Sequence, residues 1–125
     1  MGKPLDITER TFDFSVRVVK LCQVLDEQPG VGRTLSKQMI RSGTSIGANV
    51  EEAQSGQSRA DFVSKLQIAL KEARETRYWL RLLIATNLMP ENRLSPLLQE
   101  SDELIKILAS IIVQTKRNHR EREQF

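Results

Sequence analysis

The sequence predicts an all-α chain that folds as an up-down-up-down four-helix bundle with antiparallel neighbours. Three observations carry that expectation. Four long segments repeat apolar residues at helical spacing, and no segment shows the alternation of a half-buried strand. Only short breaks rich in glycine, proline, serine or asparagine separate the segments, and connections that short favour antiparallel neighbours. A chain of 125 residues is the size of one domain, expected over 1–125, and can bury a core without disulfides or metals.

The first helix is expected over about residues 7–28. Its apolar positions form two stripes, Phe12, Val16 and Val19 on one side and Phe14, Val18, Leu21 and Leu25 roughly 200° away, where a single-faced surface helix needs only one. Pro29-Gly30-Val31-Gly32 then breaks the pattern, and a second helix is expected over about 33–54. On a projection of about 100° per residue, Leu35, Met39, Ser42, Ile46, Asn49, Val50 and Ala53 share one side of it. Arg33, Lys37 and Arg41 fall opposite, as a basic ladder.

Ser55-Gly56-Gln57-Ser58 is the next break, and Ser58 with Asp61 has capping-box spacing, so the third helix is expected over about 59–86. Its main stripe is Phe62, Leu66, Ala69, Leu70, Ala73, Thr76, Leu80 and Ile84. Ile68, Trp79 and Leu82 lie well round the cylinder as a second patch. Asn87 can end this helix in a left-handed conformation, and Pro90 confirms the break. The fourth helix is expected over about 92–117, starting at Asn92 or Ser95 so that Pro96 falls in its first turn. The charged tail 118–125 is expected to be flexible. Helices of these lengths give a bundle about 33 to 42 Å long.

Composition narrows the function. Cys22 is the only cysteine and sits among apolar residues, which reads as a small buried hydrophobe and suits the cytoplasm. MGKPLDITER lacks a signal pattern, and no apolar run approaches the roughly 20 residues that cross a bilayer, so no membrane partner is expected. The only histidine, His119, lies in the tail, which argues against imidazole-based acid–base or triad chemistry. Clustered cysteine and histidine for zinc are missing, as are GxxxxGK[ST] and GxGxxG. Glu51, Glu52, Glu72, Glu75 and Glu103 all lie on expected helices, yet the Glu-x-x-His pairs of a di-metal bundle do not occur. Glu72 and Glu75 are instead expected to face solvent or to pair with Arg74, Arg77 or Arg81. No catalytic residue, cofactor or metal is therefore expected.

Three other groups stand out. The formal net charge is +3, and the basic residues gather as Arg33, Lys37 and Arg41, as Lys71, Arg74, Arg77 and Arg81, and as Lys116, Arg117, Arg120 and Arg122. The first two groups are the candidate nucleic-acid contacts, although most charge runs are simply solvated faces. Ser45, Asn49 and Glu52 read as a polar cluster that fixes register between helices. Phe12, Val16, Ile68, Trp79 and Leu82 are apolar surface beyond what one core needs, a sign of association between copies.

The stretch R-S-G-T-S-I-G-A-N-V-E-E-A, Arg41 to Ala53, resembles the signature of the four-helix bundle family first noticed as open reading frames in intervening sequences of bacterial 23S rRNA genes. F-x-x-K-L-Q-I-A-L-K-E-A-R-E-T, Phe62 to Thr76, resembles that family's third helix. Ser45, Ile46, Asn49 and Glu52 match position by position, while Glu51 and Ala53 stand where a small residue and a glycine are usual. The family is similar to the accessory protein of diversity-generating retroelements. The resemblance implies a homopentameric barrel of four-helix bundles, with RNA or DNA as a partner and no enzymatic activity. The expected function is a non-enzymatic cytoplasmic homo-oligomer that presents basic surfaces to RNA or ribonucleoprotein. A protein–protein interaction scaffold without nucleic-acid binding is the alternative, and a carboxylate-based metalloenzyme the third reading.

Overall fold

A computed structural model describes residues 6–123, which form four helices and, among the described residues, no strand. They are α1 (Ile7–Leu25), α2 (Val31–Gln54), α3 (Arg59–Ala85) and α4 (Glu91–Glu123). The ends of the expected domain 1–125 lie outside the described residues.

Each boundary has a local cause. Asp6 caps α1 by accepting the Glu9 N–H at 2.8 Å, and Asp26 ends the helix three residues before the expected limit of 28. Gly30 has φ 126°, a conformation that favours glycine, and its carbonyl accepts from the Arg33 and Thr34 N–H groups. That places the start of α2 at Val31 rather than 33, with Gly32 inside the helix. Ser58 caps α3 through the Asp61 N–H at 3.1 Å, and Asn87 takes the left-handed conformation at φ 56°.

α4 departs most from expectation. It begins at Glu91, so Pro96 is its sixth residue and lies in the second turn, not the first. The Asn92 carbonyl thereby loses a helical donor, a loss that water can make good because Asn92 is exposed. The helix also continues past 117 to Glu123, taking most of the tail expected to be flexible; residues 124–125 lie outside the described part. His119 bonds Arg59 across to α3 and pairs with Glu123 one turn on, contacts that help hold these last turns.

One core is shared by all four helices. Phe14, Val18, Met39, Ile46, Val50, Leu66, Leu80, Leu83, Leu94, Leu104 and Leu108 are fully buried in it. α1 packs on α2, α2 on α3 and α3 on α4, while α1 meets α4 more lightly. At the α1–α2 seam Thr11 lies against Gly47, Val18 against Gly43, and Cys22 against Ser36. Cys22 and Ser36 exchange side-chain bonds to each other's backbone carbonyl, at 3.5 and 3.4 Å. Burial pushes the Cys22 thiol pKa up, consistent with the small buried hydrophobe read from sequence.

Two glycines of α2, Gly43 and Gly47, set how close α1 comes. A Cβ on Gly43 would stand 2.7 Å from Val18 Cγ1, and one on Gly47 would stand 3.1 Å from the Thr11 carbonyl oxygen. Neither neighbour is the free end of a flexible chain. Exchanging glycine for alanine in an open helix stabilises by about 0.5–1 kcal/mol. Here Gly43→Ala is expected to destabilise, by about 1–3 kcal/mol, as overpacked sites do. Val18→Ala in the same chain should restore part of the loss, as read from urea unfolding midpoints. A midpoint above wild type for Gly43→Ala would mean the seam has slack.

Candidate functional site

The expected basic residues separate into two kinds once their neighbours are known. Arg41 reaches from α2 to α3, where Nη1 donates to Glu72 Oε2 at 3.1 Å and Nη2 donates to Glu75. The bond to Glu75 is the main cause that holds the Arg41 pKa above its ordinary value. Arg77 reaches from α3 to α4 and donates through Nε to Asp102. Arg33 donates to the Asp26 carbonyl at 2.6 Å, tying α2 back to the end of α1. Lys37, Lys71, Arg74 and Arg81 are exposed and make no ion pair among the described residues.

One expectation is corrected by this geometry. Arg41 and Arg77, expected as phosphate contacts, pair with carboxylates on the neighbouring helix. Glu72 and Glu75, expected to face solvent or pair within α3, meet Arg41 of α2 instead, and Glu72 is buried. Spacing along one helix reports only its own i,i+3 and i,i+4 neighbours. Partners across a seam are invisible to it. A third arginine behaves alike, since Arg10 of α1 bonds Glu100 at 2.6 Å and Glu103 at 3.2 Å on α4.

The buried polar pair is also displaced from where the sequence placed it. Ser45 donates to the Arg41 carbonyl and Asn49 to the Ser45 carbonyl, bonds within α2 that leave no link between helices. Glu52 is exposed, so Ser45, Asn49 and Glu52 do not form a cluster. The link is made one turn earlier, where fully buried Thr76 of α3 donates to the fully buried Ser42 hydroxyl at 2.8 Å. Thr76 Oγ1 also lies 2.8 Å from the Glu72 carbonyl, and Ser42 donates to the Met39 carbonyl at 3.3 Å. A signal for the pair existed. Each is a hydroxyl inside its helix's apolar stripe, and the two stripes face one another.

The surplus apolar residues sort by exposure. Phe12 is 61% exposed and Ile68 40%, whereas Val16, Trp79 and Leu82 are half-buried and Trp79 packs against the core. Tyr78 meets the Trp79 ring edge-on at 5.3 Å and is itself exposed. The Trp79 indole N–H is buried and has no hydrogen-bond partner among the described residues.

Sequence reading missed three groupings that exist only in space. Arg74 and Arg77 of α3 join Lys106 of α4 around a cavity of about 350 Å³ that Asp102 and Ile105 also line. Arg59 of α3 joins Lys116 and His119 of α4 around another of about 530 Å³. Phe12, Ser15, Gly47 and Ala48 border a smaller groove of about 260 Å³ between α1 and α2. Helical periodicity carried through residues 118–123 would have brought His119 to α3. Among the described residues no three histidine, cysteine, aspartate or glutamate side chains gather as a metal site, and no helix is long and apolar enough to cross a membrane.

Comparison with known proteins places this geometry. Residues 3–110 match the family model described as 23S rRNA-intervening sequence protein. A crystal structure from Bacteroides thetaiotaomicron VPI-5482, described as a protein of unknown function from the S23 ribosomal protein family, is 47% identical. It superposes with a TM-score of 0.80 over 86% of this chain and 98% of that one. No curated protein matches the chain.

The Ser42–Thr76 bond has a measurable consequence. Thr76→Val leaves the Ser42 hydroxyl buried with a methyl group opposite, and is expected to cost about 1–3 kcal/mol of stability. Adding Ser42→Ala should recover much of it, because neither partner is then stranded. The double-mutant cycle in denaturant checks this, and additive losses would show that the two hydroxyls act independently.

Proposed function

Because the chain belongs to the 23S rRNA-intervening sequence protein family, we propose that it is a non-enzymatic homo-oligomer of the cytoplasm that presents basic surfaces to RNA or ribonucleoprotein. Each protomer is an antiparallel up-down-up-down bundle in this reading. The order of contacts supports it, since Thr11, Val18 and Cys22 meet Gly47, Gly43 and Ser36, so that numbers fall on α2 as they rise on α1. Arg77 with Asp102 and Arg59 with His119 give the same descent between α3 and α4.

The observation that carries the RNA reading is the uncompensated charge on the outside of α3. Lys71, Arg74 and Arg81 stay exposed and unpaired among the described residues, while Glu75 on the same helix is drawn to Arg41. Lys106 of α4 extends this surface at the cavity it shares with Arg74. A phosphate backbone is the partner that such a surface fits, because each neutralised phosphate releases condensed counterions. The family description, tied to a ribosomal RNA gene, points the same way. For oligomerisation the supporting observation is exposed Phe12 and Ile68 on two different helices. The sequence resemblance supports a pentamer as the assembly in this reading.

A protein–protein scaffold without nucleic acid is favoured by a different observation, the neutralisation of Arg10, Arg41 and Arg77 by carboxylates. Filter binding to RNA over a salt series separates the two. Affinity should fall steeply as salt rises, with a slope of about −0.7 per phosphate contacted on single strands. The triple change Lys71→Glu, Arg74→Glu and Arg81→Glu should abolish binding with helicity intact. Affinity insensitive to both would leave the scaffold reading.

Light scattering tests assembly. The mass in solution should be a multiple of the 14.3 kDa protomer, and Phe12→Glu should lower it without loss of helicity. Phe12 is the better probe than Trp79, whose ring also supports the core. A wild-type mass of one protomer would remove the oligomer.

A further inference from the structure

The cavity between the start of α3 and the end of α4 is chemically unlike the other helix seams. Three arginines cross a seam to meet carboxylates: Arg10 at α1–α4, Arg41 at α2–α3 and Arg77 at α3–α4. Arg59 crosses the α3–α4 seam too, but meets an imidazole. Its Nη1 lies 3.3 Å from His119 Nδ1, while His119 Nε2 faces Glu123 at 3.0 Å. An imidazole, unlike a carboxylate, brings no negative charge to offset the guanidinium. Lys116, one turn before His119, adds a second cation to the same cavity.

The walls suit an organic anion better than a bare ion. Ala60 and Val63 give an apolar side, Ser64 also lines the cavity, and the volume is about 530 Å³. Small-molecule sites commonly span about 300–1,000 Å³, mostly apolar with a few converging polar groups. Asp61, the acidic residue in the first turn of α3, does not line the cavity, because residues two apart on a helix do not share a face. Glu123 approaches His119 through the other ring nitrogen.

We propose that this cavity binds a phosphomonoester of nucleotide size, its phosphate held between Arg59 and Lys116 and its organic part against Ala60 and Val63. A phosphomonoester carries about −1.5 to −2 charge at pH 7 and three strong acceptor oxygens. A guanidinium with one hydrogen engaged keeps four more donors, enough for a bidentate contact. The ligand chemistry has two sources, a free nucleotide or the phosphorylated end of an RNA strand. Only the second rests on the RNA reading given above.

The test uses the full chain labelled with ¹⁵N and four probes: adenosine 5′-monophosphate, adenosine, and an oligoadenylate with either a 5′-phosphate or a 5′-hydroxyl. Adenosine monophosphate should shift the Ala60, Ser64 and Lys116 amides saturably, and adenosine should not. Lys116→Glu and Arg59→Gln, at sites with solvent access, should each weaken binding about tenfold or more, the size expected for losing a charge-assisted hydrogen bond. Lys20→Glu, exposed on α1, should leave it unchanged. A source at RNA ends predicts tighter binding of the 5′-phosphorylated strand than of its 5′-hydroxyl twin; equal binding assigns the site to free nucleotides. Failure of adenosine monophosphate to shift these amides, or equal shifts at basic residues elsewhere, overturns the proposal. That result leaves the RNA reading standing if both strands bind in a salt-dependent way. Nucleotide binding without strand binding does the reverse.

Discussion

The approach of α1 to α2 at Gly43 and Gly47 is the constraint from which the rest of the arrangement follows. With no Cβ at either position, the Val18 side chain and the Thr11 backbone sit directly on the α2 backbone. This close seam turns Phe14, Val18 and Leu21 inward and leaves Phe12 facing out. α2 then offers Ser42, Met39 and Ile46 to α3, and the hydroxyl pair Ser42–Thr76 forms where those faces meet. A buried hydroxyl that misses its partner is costly, so a slip of α2 on α3 is penalised in either direction.

The remaining seams are closed at their edges by arginines rather than by backbone contact. Arg10, Arg41 and Arg77 are partly exposed, and solvent screening leaves pairs of that kind little effect on stability. Their larger effect is on charge placement. Each brings a carboxylate across to an arginine, so that the two charges offset one another where they meet solvent. Arg41 occupies two acids at once, which takes Glu75 away from the cations of its own helix.

How much of this was legible in the sequence follows from which interactions are local. α3 was readable at both ends because Ser58 and Asn87 act on their own backbone: one caps a helix and the other leaves it. The core stripes were readable because helical period alone decides which residues share a face. α4 was not, since Pro96 was assigned to a first turn that begins one residue earlier than expected, and His119 was assigned to a tail although it has a partner 60 residues away. Glu72 was misread for the same reason, its partner lying on another helix. The polar link lies two turns before Asn49, which is the more polar residue but whose amide reaches the Ser45 carbonyl within α2. Short hydroxyls such as Ser42 and Thr76 make better bridges between closely packed helices.

Charge placement then explains how a modest net charge can still leave a locally cationic surface. The formal excess is only +3, but screening confines the field of an exposed charge to about 8–10 Å at ordinary salt, so a ligand senses the local distribution and not the sum. Nine of the sixteen acids stand at helix starts or at seams. Asp6, Glu9, Asp61 and Glu91 stand at helix starts, where they complement the helix dipole, and Glu72, Glu75, Glu100, Asp102 and Glu103 stand at seams. Lys71, Arg74 and Arg81 keep the outer face of α3 without an acid drawn to them, and Arg59 with Lys116 repeats the pattern at the α3–α4 end. The outer face of α3 is therefore left locally cationic because the acids of that helix are held elsewhere, Asp61 in its first turn and Glu72 and Glu75 at the seam with α2.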